Sequence, residues 1–372
     1  MATAEGTLER PERAVEELDT IVVGGGQAGL AIGYYLKKLG RPFAILDANR
    51  RIGGSWRTRT WDSLRLFTPA RYDGLPGWPF PAPAWSYPTA RETADYLELY
   101  ADRFELPVRS GMRVDRLTKA GDRFLVEAGE QRFLASSVVV ATGFYGTPTV
   151  PGFASELDPK IVQMHSSEYR DPSQLAPGGV LIVGAGNSGA DIAIETSATH
   201  PTWLSGPDKG EVPIQIESRF ARFALPVLWF LASHVLTIRT PLGRRLKPHV
   251  LANGSPRIRV KSKDLDEAGV VLAPKTSAVR DGRPVLEDGR ILDVANVIWA
   301  TGFRQDFSWI DVPVFDGDGA PVHERGVAAE PGLYFVGLDF MYAFTSENVG
   351  GVGRDARYIA RHIARLSSRR DS

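Results

Sequence analysis

The chain has 372 residues, 43% hydrophobic and 24% charged, which is an ordinary globular composition with room for two or three domains. Its 44 basic and 44 acidic side chains cancel, which argues against nucleic acid as the main partner. Cysteine is absent, so disulfide frameworks, thiolate metal sites, iron–sulfur clusters and thiol catalysis are all excluded.

Residues 1–19 carry Glu5, Glu9, Glu12, Glu16, Glu17 and Asp19 without an apolar run. They are expected to form a mobile tail and not a signal peptide, which makes a cytoplasmic protein the default. The β-branched run Ile21-Val22-Val23 then enters Gly24-Gly25-Gly26-Gln27-Ala28-Gly29, and Leu30, Ala31, Tyr34 and Tyr35 continue at helical spacing. A second buried strand, Phe43 to Leu46, ends at Asp47. A phosphate group needs backbone N–H donors and a helix N-terminus that side chains do not obstruct, which is what Gly24-x-Gly26-x-x-Gly29 supplies. Asp47 stands where a ribose-binding carboxylate belongs, and an acid there suits a ribose without a 2′-phosphate.

From Thr68 to Pro88 the chain is rich in proline and aromatic residues, which excludes helix and central strand. Thr89-Ala90-Arg91-Glu92 fits a capping box opening a helix with Tyr96, Leu97, Tyr100 and Phe104 on one face. Val138-Val139-Val140 runs into Ala141-Thr142-Gly143-Phe144, and the linker Gly146 to Gly152 is expected to leave the first domain.

Val180 to Val183 leads into a second turn, Gly184-Ala185-Gly186-Asn187-Ser188-Gly189, followed by a helical run and a strand at Thr202 to Ser205. No acid or arginine sits cleanly at that strand end; Ser205 and Lys209 are the candidates for a 2′-phosphate. The apolar stretch Phe220 to Ile238 is broken by Arg222, Pro226, Ser233 and His234, so it falls short of a membrane span. It is expected to roof a substrate entrance, rest on a membrane surface or form a dimer contact. Val297-Ile298-Trp299-Ala300-Thr301-Gly302-Phe303 repeats the earlier Ala-Thr-Gly-Phe strand end. Nearly the same interval separates Gly24 from Gly184 and Ala141 from Ala300, so an architecture repeats and not a motif alone. Gly350 to Gly353 opens a last helix with Ala356, Ile359, Ala360 and Ile363 on one face.

Two nucleotide turns joined to Ala-Thr-Gly strand ends resemble the two-dinucleotide-domain flavoproteins. The disulfide-reductase branch needs a cysteine pair that this chain lacks. From Ile21 to about Ile363 the chain resembles class B flavin-dependent monooxygenases, most of all the flavin-containing and YUCCA-type branch and its bacterial relatives. Gly53-Gly54-Ser55-Trp56-Arg57 is similar to the family's flavin-side segment, and Trp61 to Leu66 with Pro79-Phe80-Pro81 to its flavin cover. His165 and Tyr169 match half of the family fingerprint, whose Phe and Gly fall on Pro159 and Ile161; Gly332 to Gly337 is similar to the C-terminal flavin strand.

The resemblance implies an α/β fold of two Rossmann-like dinucleotide-binding domains, the NADP domain (151–293) inserted into the FAD domain (20–150 and 294–372). It implies FAD on Gly24, Gly26, Gln27, Ala28, Gly29, Asp47, Gly54, Ser55, Trp56, Val114, Ala141, Thr142 and Gly143. NADPH would lie on Gly184, Gly186, Asn187, Ser188, Gly189, Ser205, Lys209, His165 and Thr301. Thr68, aligned where heteroatom-oxidising relatives carry an asparagine, and Tyr169 are the catalytic candidates. NADPH and O2 would give a C4a-(hydro)peroxyflavin that oxygenates a small organic substrate at nitrogen or sulfur, or decarboxylates an α-keto acid. An NAD(P)H-dependent reductase or oxidase serving a quinone, ferredoxin or O2, and a regulatory flavoprotein with a vestigial redox site, are the alternatives. No transmembrane segment is expected, and the state is monomer or homodimer.

Overall fold

The structure, a computed structural model, describes residues 15–143, 146–253 and 255–370. Residues 1–14 of the expected tail and Phe144 of the first Ala-Thr-Gly-Phe lie outside the described residues.

The chain starts with β1 (Val15–Val23), α1 (Gln27–Lys38), β2 (Phe43–Asp47), the short α2 (Gly54–Thr58) and α3 (Ala90–Arg103). Then come β3 (Val108–Ser110), β4 (Arg116–Ala120), β5 (Arg123–Ala128) and β6 (Gln131–Val140). Thr89 caps α3 with the full reciprocal box to Glu92, and Tyr96, Leu97 and Tyr100 bury its apolar face. The Pro-rich stretch holds only a short turn of helix at Ala70–Tyr72.

Strand β6 organises the first sheet. β1 runs parallel along one side of it, from the pair Val15 with Arg132 to the pair Val23 with Val140. On its other side the first half of β6 pairs antiparallel with β5, and Val138–Val140 pair parallel with β19 (Leu333–Phe335). β2 and β3 extend the sheet beyond β1, and β4 and β16 (Ile310–Asp311) extend it beyond β5. β17 (His323–Glu324) and β18 (Val327–Ala328) form an antiparallel ribbon leading into β19.

β1 corrects the expected tail. Residues 15–19 belong to the strand, and the acids that read as a solvated run are ion-paired: Glu16 with Arg109 at 2.6 Å, Asp19 with Arg41 at 2.8 Å, Glu17 with Arg123 at 3.0 Å.

After β7 (Thr147–Pro148) and β8 (Val162–His165), the second sheet takes β9 (Val180–Val183), α4 (Asn187–Ser197) and β10 (Thr202–Ser205). Helices α5 (Ala221–Phe230), α6 (Pro241–Asn253) and α7 (Ser262–Glu267) precede β11 (Val271–Ala273), a hairpin of β12 (Thr276–Arg280) and β13 (Arg283–Leu286), and β14 (Asn296–Trp299). The parallel order is β11-β10-β9-β14-β8.

β14 therefore lies between β9 and β8, so residues 296–299, at the start of the segment expected in the first domain, pair within the second sheet. Val297, Ile298 and Trp299 are buried there, and Asn296 fixes the strand start by accepting from the Ala176 N–H at 2.8 Å. The chain crosses back only at β15 (Phe303–Arg304), which pairs antiparallel with the outgoing β7. The last helix, α8 (Gly353–Arg370), packs on α1 and buries Ala356, Ile359, Ala360 and Ile363.

Candidate functional site

The two glycine turns have the same geometry for the same reason. Gly24 has φ +110°, and a Cβ on it would stand 2.4 Å from the Ala141 carbonyl oxygen; Gly184 has φ +115° and would meet the Ala300 oxygen at 2.3 Å. Gly29 and Gly189 lie against the carbonyls of Gly24 and Gly184, where a Cβ would come within 1.8 Å and 1.9 Å. Only glycine allows helix, strand and the Ala-Thr-Gly segment to approach this closely. Gly26 and Gly186, the N-cap residues of α1 and α4, differ in kind: a Cβ there meets nothing within 4 Å among the described residues. Having no side chain, these glycine caps cannot satisfy the helix N–H groups, so each turn presents backbone donors outward, a cradle for a pyrophosphate.

Around the first turn, Asp47 is buried at the carboxyl end of β2. Its carboxylate accepts the Gly25 N–H at 2.5 Å, the Asn49 N–H at 2.6 Å and the Asn49 side-chain amide at 2.9 Å. The Val114 loop follows, with Met112 donating its N–H to the Asp47 carbonyl at 2.8 Å. Gly54, Ser55 and Trp56 form α2, whose left-handed N-cap Gly53 (φ +75°) lies against Ala94. Gln27 and Ala28 open α1, and Gly337, just past β19, would bring a Cβ to 2.7 Å from that of Ala28. Ala141, Thr142 and Gly143 close the same rim, directly after β6.

Two residues that the sequence reading missed lie here. Asp339, two positions after Gly337, has a buried Oδ1 with no hydrogen-bond partner among the described residues. Glu347 shares a hydrogen bond with it, and burial together with the Asp339 carboxylate pushes the Glu347 pKa up. A Gly-x-Asp just past the last strand was the available signal. The orphaned oxygen and the open cradle at Gly26 both fit a polar cofactor laid across α1.

Thr68 lies on the Pro-rich segment, and its hydroxyl donates to Asp73 Oδ1 at 2.5 Å. Asp73, also missed, is buried with its Oδ2 unpartnered among the described residues, and burial pushes its carboxyl up to about 7. A cleft of about 380 Å³ lies beside this segment, lined by Tyr72, Leu75, Trp78, Trp229 and Gly350. Trp229 of α5 stacks on Tyr72 with ring centroids 4.9 Å apart. The insert is tied to the C-terminal segment where Ile238 donates its N–H to the Tyr342 carbonyl (2.9 Å) and Phe344 to that of Leu236 (3.0 Å).

The second-turn candidates divide. Asn187 accepts the Ile258 N–H at 2.8 Å and donates to the Pro256 carbonyl at 3.2 Å, so it braces the 255–258 loop; Ser188 follows it in the first turn of α4. Ser205 is fully buried and its hydroxyl is engaged by the Pro274 carbonyl and Thr276, at 2.8 Å and 2.7 Å. The side chain therefore points into the protein. Lys209 is exposed on the loop after β10. Tyr169 is fully buried in the second core and donates its hydroxyl to Glu195 Oε2 at 3.1 Å, so that hydroxyl is engaged inside the protein.

His165 and Thr301 lie at the crossing. His165 Nδ1 accepts the Ser167 N–H at 3.1 Å, which leaves Nε2 as the nitrogen that donates to the Gly302 carbonyl, at 3.0 Å. Burial lowers the pKa of this ring and keeps it neutral. Thr301 donates its hydroxyl to the Thr149 carbonyl, joining the outgoing and returning strands. Arg170 clamps the Thr58 and Thr60 carbonyls, and Arg259 donates to the Leu66 carbonyl at 2.5 Å, so the loops of the two sheets are stapled together.

A mixed sheet with a parallel β3-β2-β1-β6 core and an all-parallel second sheet, each carrying a glycine cradle at the carboxyl end of its first nucleotide-binding strand, define a two-dinucleotide-domain oxidoreductase. The family described as pyridine nucleotide-disulphide oxidoreductase matches residues 21–202. A Geobacillus kaustophilus protein described as an uncharacterized oxidoreductase CzcO-like is 41% identical, over 93% of this chain and 98% of its own length. The probable indole-3-pyruvate monooxygenase YUCCA3 of Arabidopsis thaliana is 29% identical over 92% of this chain and 86% of its own. A flavin-containing monooxygenase from Stenotrophomonas maltophilia has the same fold, with a TM-score of 0.78 and 29% identity, covering 95% of this chain and 100% of that one. The chain belongs to the class B flavin-dependent monooxygenase family.

Proposed function

We propose that the chain is an FAD- and NADPH-dependent monooxygenase that places one oxygen atom of O2 on a small organic substrate and releases the other as water. Substrate oxygenation at nitrogen or sulfur, or oxidative decarboxylation of a 2-oxo acid, are the reactions it would run. The observation that carries the proposal is the pair of open cradles at Gly26 and Gly186 in a chain without a single thiol. Electrons entering from a nicotinamide nucleotide must leave to an acceptor other than a disulfide of this chain.

The residues would divide the work as follows. The α1 N-terminus, Asp47 and Asp339 would hold FAD, with Gly54, Ser55 and Trp56 on one flank and Val114 and Ala141 to Gly143 on the other. The α4 N-terminus would hold the pyrophosphate of NADPH, with Lys209 reaching its 2′-phosphate. Bound flavin would supply the redox and oxygen chemistry. Thr68 would be held in one orientation by donating to Asp73, on the segment that lines the cleft, and Asp73 would keep a buried proton near neutral pH. Tyr72, Trp78 and Trp229 would shed water from the reacting face.

Amines, thioethers and 2-oxo acids are screened for substrate-dependent NADPH consumption with isotopically labelled O2. Labelled product equal to NADPH consumed is the expected result. Hydrogen peroxide equal to NADPH with every substrate would favour the oxidase, and failure of both nicotinamide nucleotides to reduce the flavin would leave only a binding role.

A further inference from the structure

The outer face of α5 has a composition that neither cradle requires. Phe220, Phe223, Val227 and Phe230 are 66%, 77%, 59% and 57% exposed, and their spacing puts all four on one stripe of the helix. Exposed Leu231 continues it, and Leu242 and Leu251 are exposed on α6. A contiguous exposed apolar face marks an interaction surface.

Its orientation is fixed from the inside. Trp229 is stacked on Tyr72, the Ser233 and Thr345 hydroxyls lie 3.2 Å apart, and Arg354 donates to the Ser233 carbonyl. The helix therefore cannot roll its phenylalanines inward without giving up these contacts.

Charge identifies what would cover this face. In a chain of zero net charge, residues 218–263 contain ten Lys and Arg and not one Asp or Glu. Arg257, Arg259 and Lys263 meet acids from outside the segment. Arg219 and Arg222 sit exposed at α5, and Arg239, Arg244 and Arg245 are exposed on the turn and helix that follow. A second copy related by a twofold axis would set these arginines against themselves. An anionic lipid surface accepts the apolar stripe in its interfacial layer and the arginines among its headgroups. Among the described residues no helix is long and apolar enough to cross a membrane, so contact with the surface is the form the association takes. We infer that the α5 stripe and its flanking arginines dock this protein on an anionic bilayer surface, beside the mouth of the cleft that Trp229 lines.

Co-sedimentation of the purified full chain with vesicles tests this. Binding is expected to phosphatidylglycerol-containing vesicles, at least about tenfold weaker to pure phosphatidylcholine, and weakened by salt. Phe223→Ser with Phe230→Ser, and separately Arg244→Glu with Arg245→Glu, are expected to weaken binding at least about tenfold while thermal unfolding stays unchanged, since all four side chains are exposed. No binding to anionic vesicles would overturn the inference, as would binding that survives both pairs of substitutions. Self-association in sedimentation velocity that Phe223→Ser abolishes would assign the face to a second copy and overturn it equally.

Discussion

The Thr68 hydroxyl donates to Asp73 Oδ1 at 2.5 Å, and the other oxygen of that buried carboxyl has no partner among the described residues. The pair turns a loop threonine into an oriented hydroxyl and leaves an acid that holds its proton to about pH 7. Because this folded-state value lies above the ordinary 3.8, the folded chain binds the proton more tightly than the unfolded one. The stability that follows is complete below the unfolded value and is lost as pH rises toward 7. Asp73→Asn should remove a slope approaching about 1.4 kcal/mol per pH unit between these limits. Thermal unfolding of both proteins from pH 5 to 8 measures it; parallel curves would refute it.

The open cradles predict a separation of binding from folding. Gly26 and Gly186 have φ of −78° and −82° with extended ψ, which valine tolerates, and space for the side chain exists at both. Gly26→Val should cost less than about 1 kcal/mol of apoprotein stability yet yield colourless protein. Gly186→Val should stay yellow and fail to be reduced by NADPH. Flavin content and anaerobic reduction report the two outcomes, and a yellow Gly26→Val would remove the FAD assignment.

His165 predicts an acid-side effect of opposite sign. Burial lowers its pKa, so the unfolded chain takes up the proton first and stability is lost as pH falls below about 6.5. His165→Gln should flatten that loss and cost about 1 kcal/mol at neutral pH for the hydrogen bond to Gly302. Chemical denaturation at pH 5.5 and 7.5 would show whether the difference between the proteins changes with pH.

Ser205 and Lys209 should separate by function. Lys209→Ala is expected to raise KM for NADPH roughly fivefold and leave KM for NADH alone, as suits an exposed charge pairing. Ser205→Ala should lose about 1 kcal/mol of stability with both KM values unchanged, because its hydroxyl is spent on Pro274 and Thr276. Steady-state kinetics with the two nucleotides decides it.

The capping box at Thr89, the strand at Thr202 to Ser205, the apolar face of α8 and the coil of the Pro-rich stretch were all legible from local pattern. The errors came where distant chain decides. Glu16, Glu17 and Asp19 resemble a solvated tail until Arg109, Arg123 and Arg41 are brought beside them. Asn296 to Trp299 carries no local mark of which sheet it joins, and only its neighbours β8 and β9 assign it. Asp73 lies in a segment without periodicity, so nothing along the chain announced its burial, and Asp339 was marked only by the Gly-x-Asp after the last strand.

The sequence by itself determined the two glycine turns and the class of chemistry. Tolerance of a positive φ and the absence of a Cβ are properties of single residues, and the lack of cysteine is a count that no folding can alter. Tertiary structure alone decided which polar groups are spent and which are left over. Ser205 and Tyr169 are satisfied inside the protein, while Asp73 and Asp339 keep an oxygen unpaired and the phenylalanines of α5 face outward. Desolvation and hydrogen-bond satisfaction depend on atoms that the chain brings together from far apart, and these set the chemistry available at the cleft.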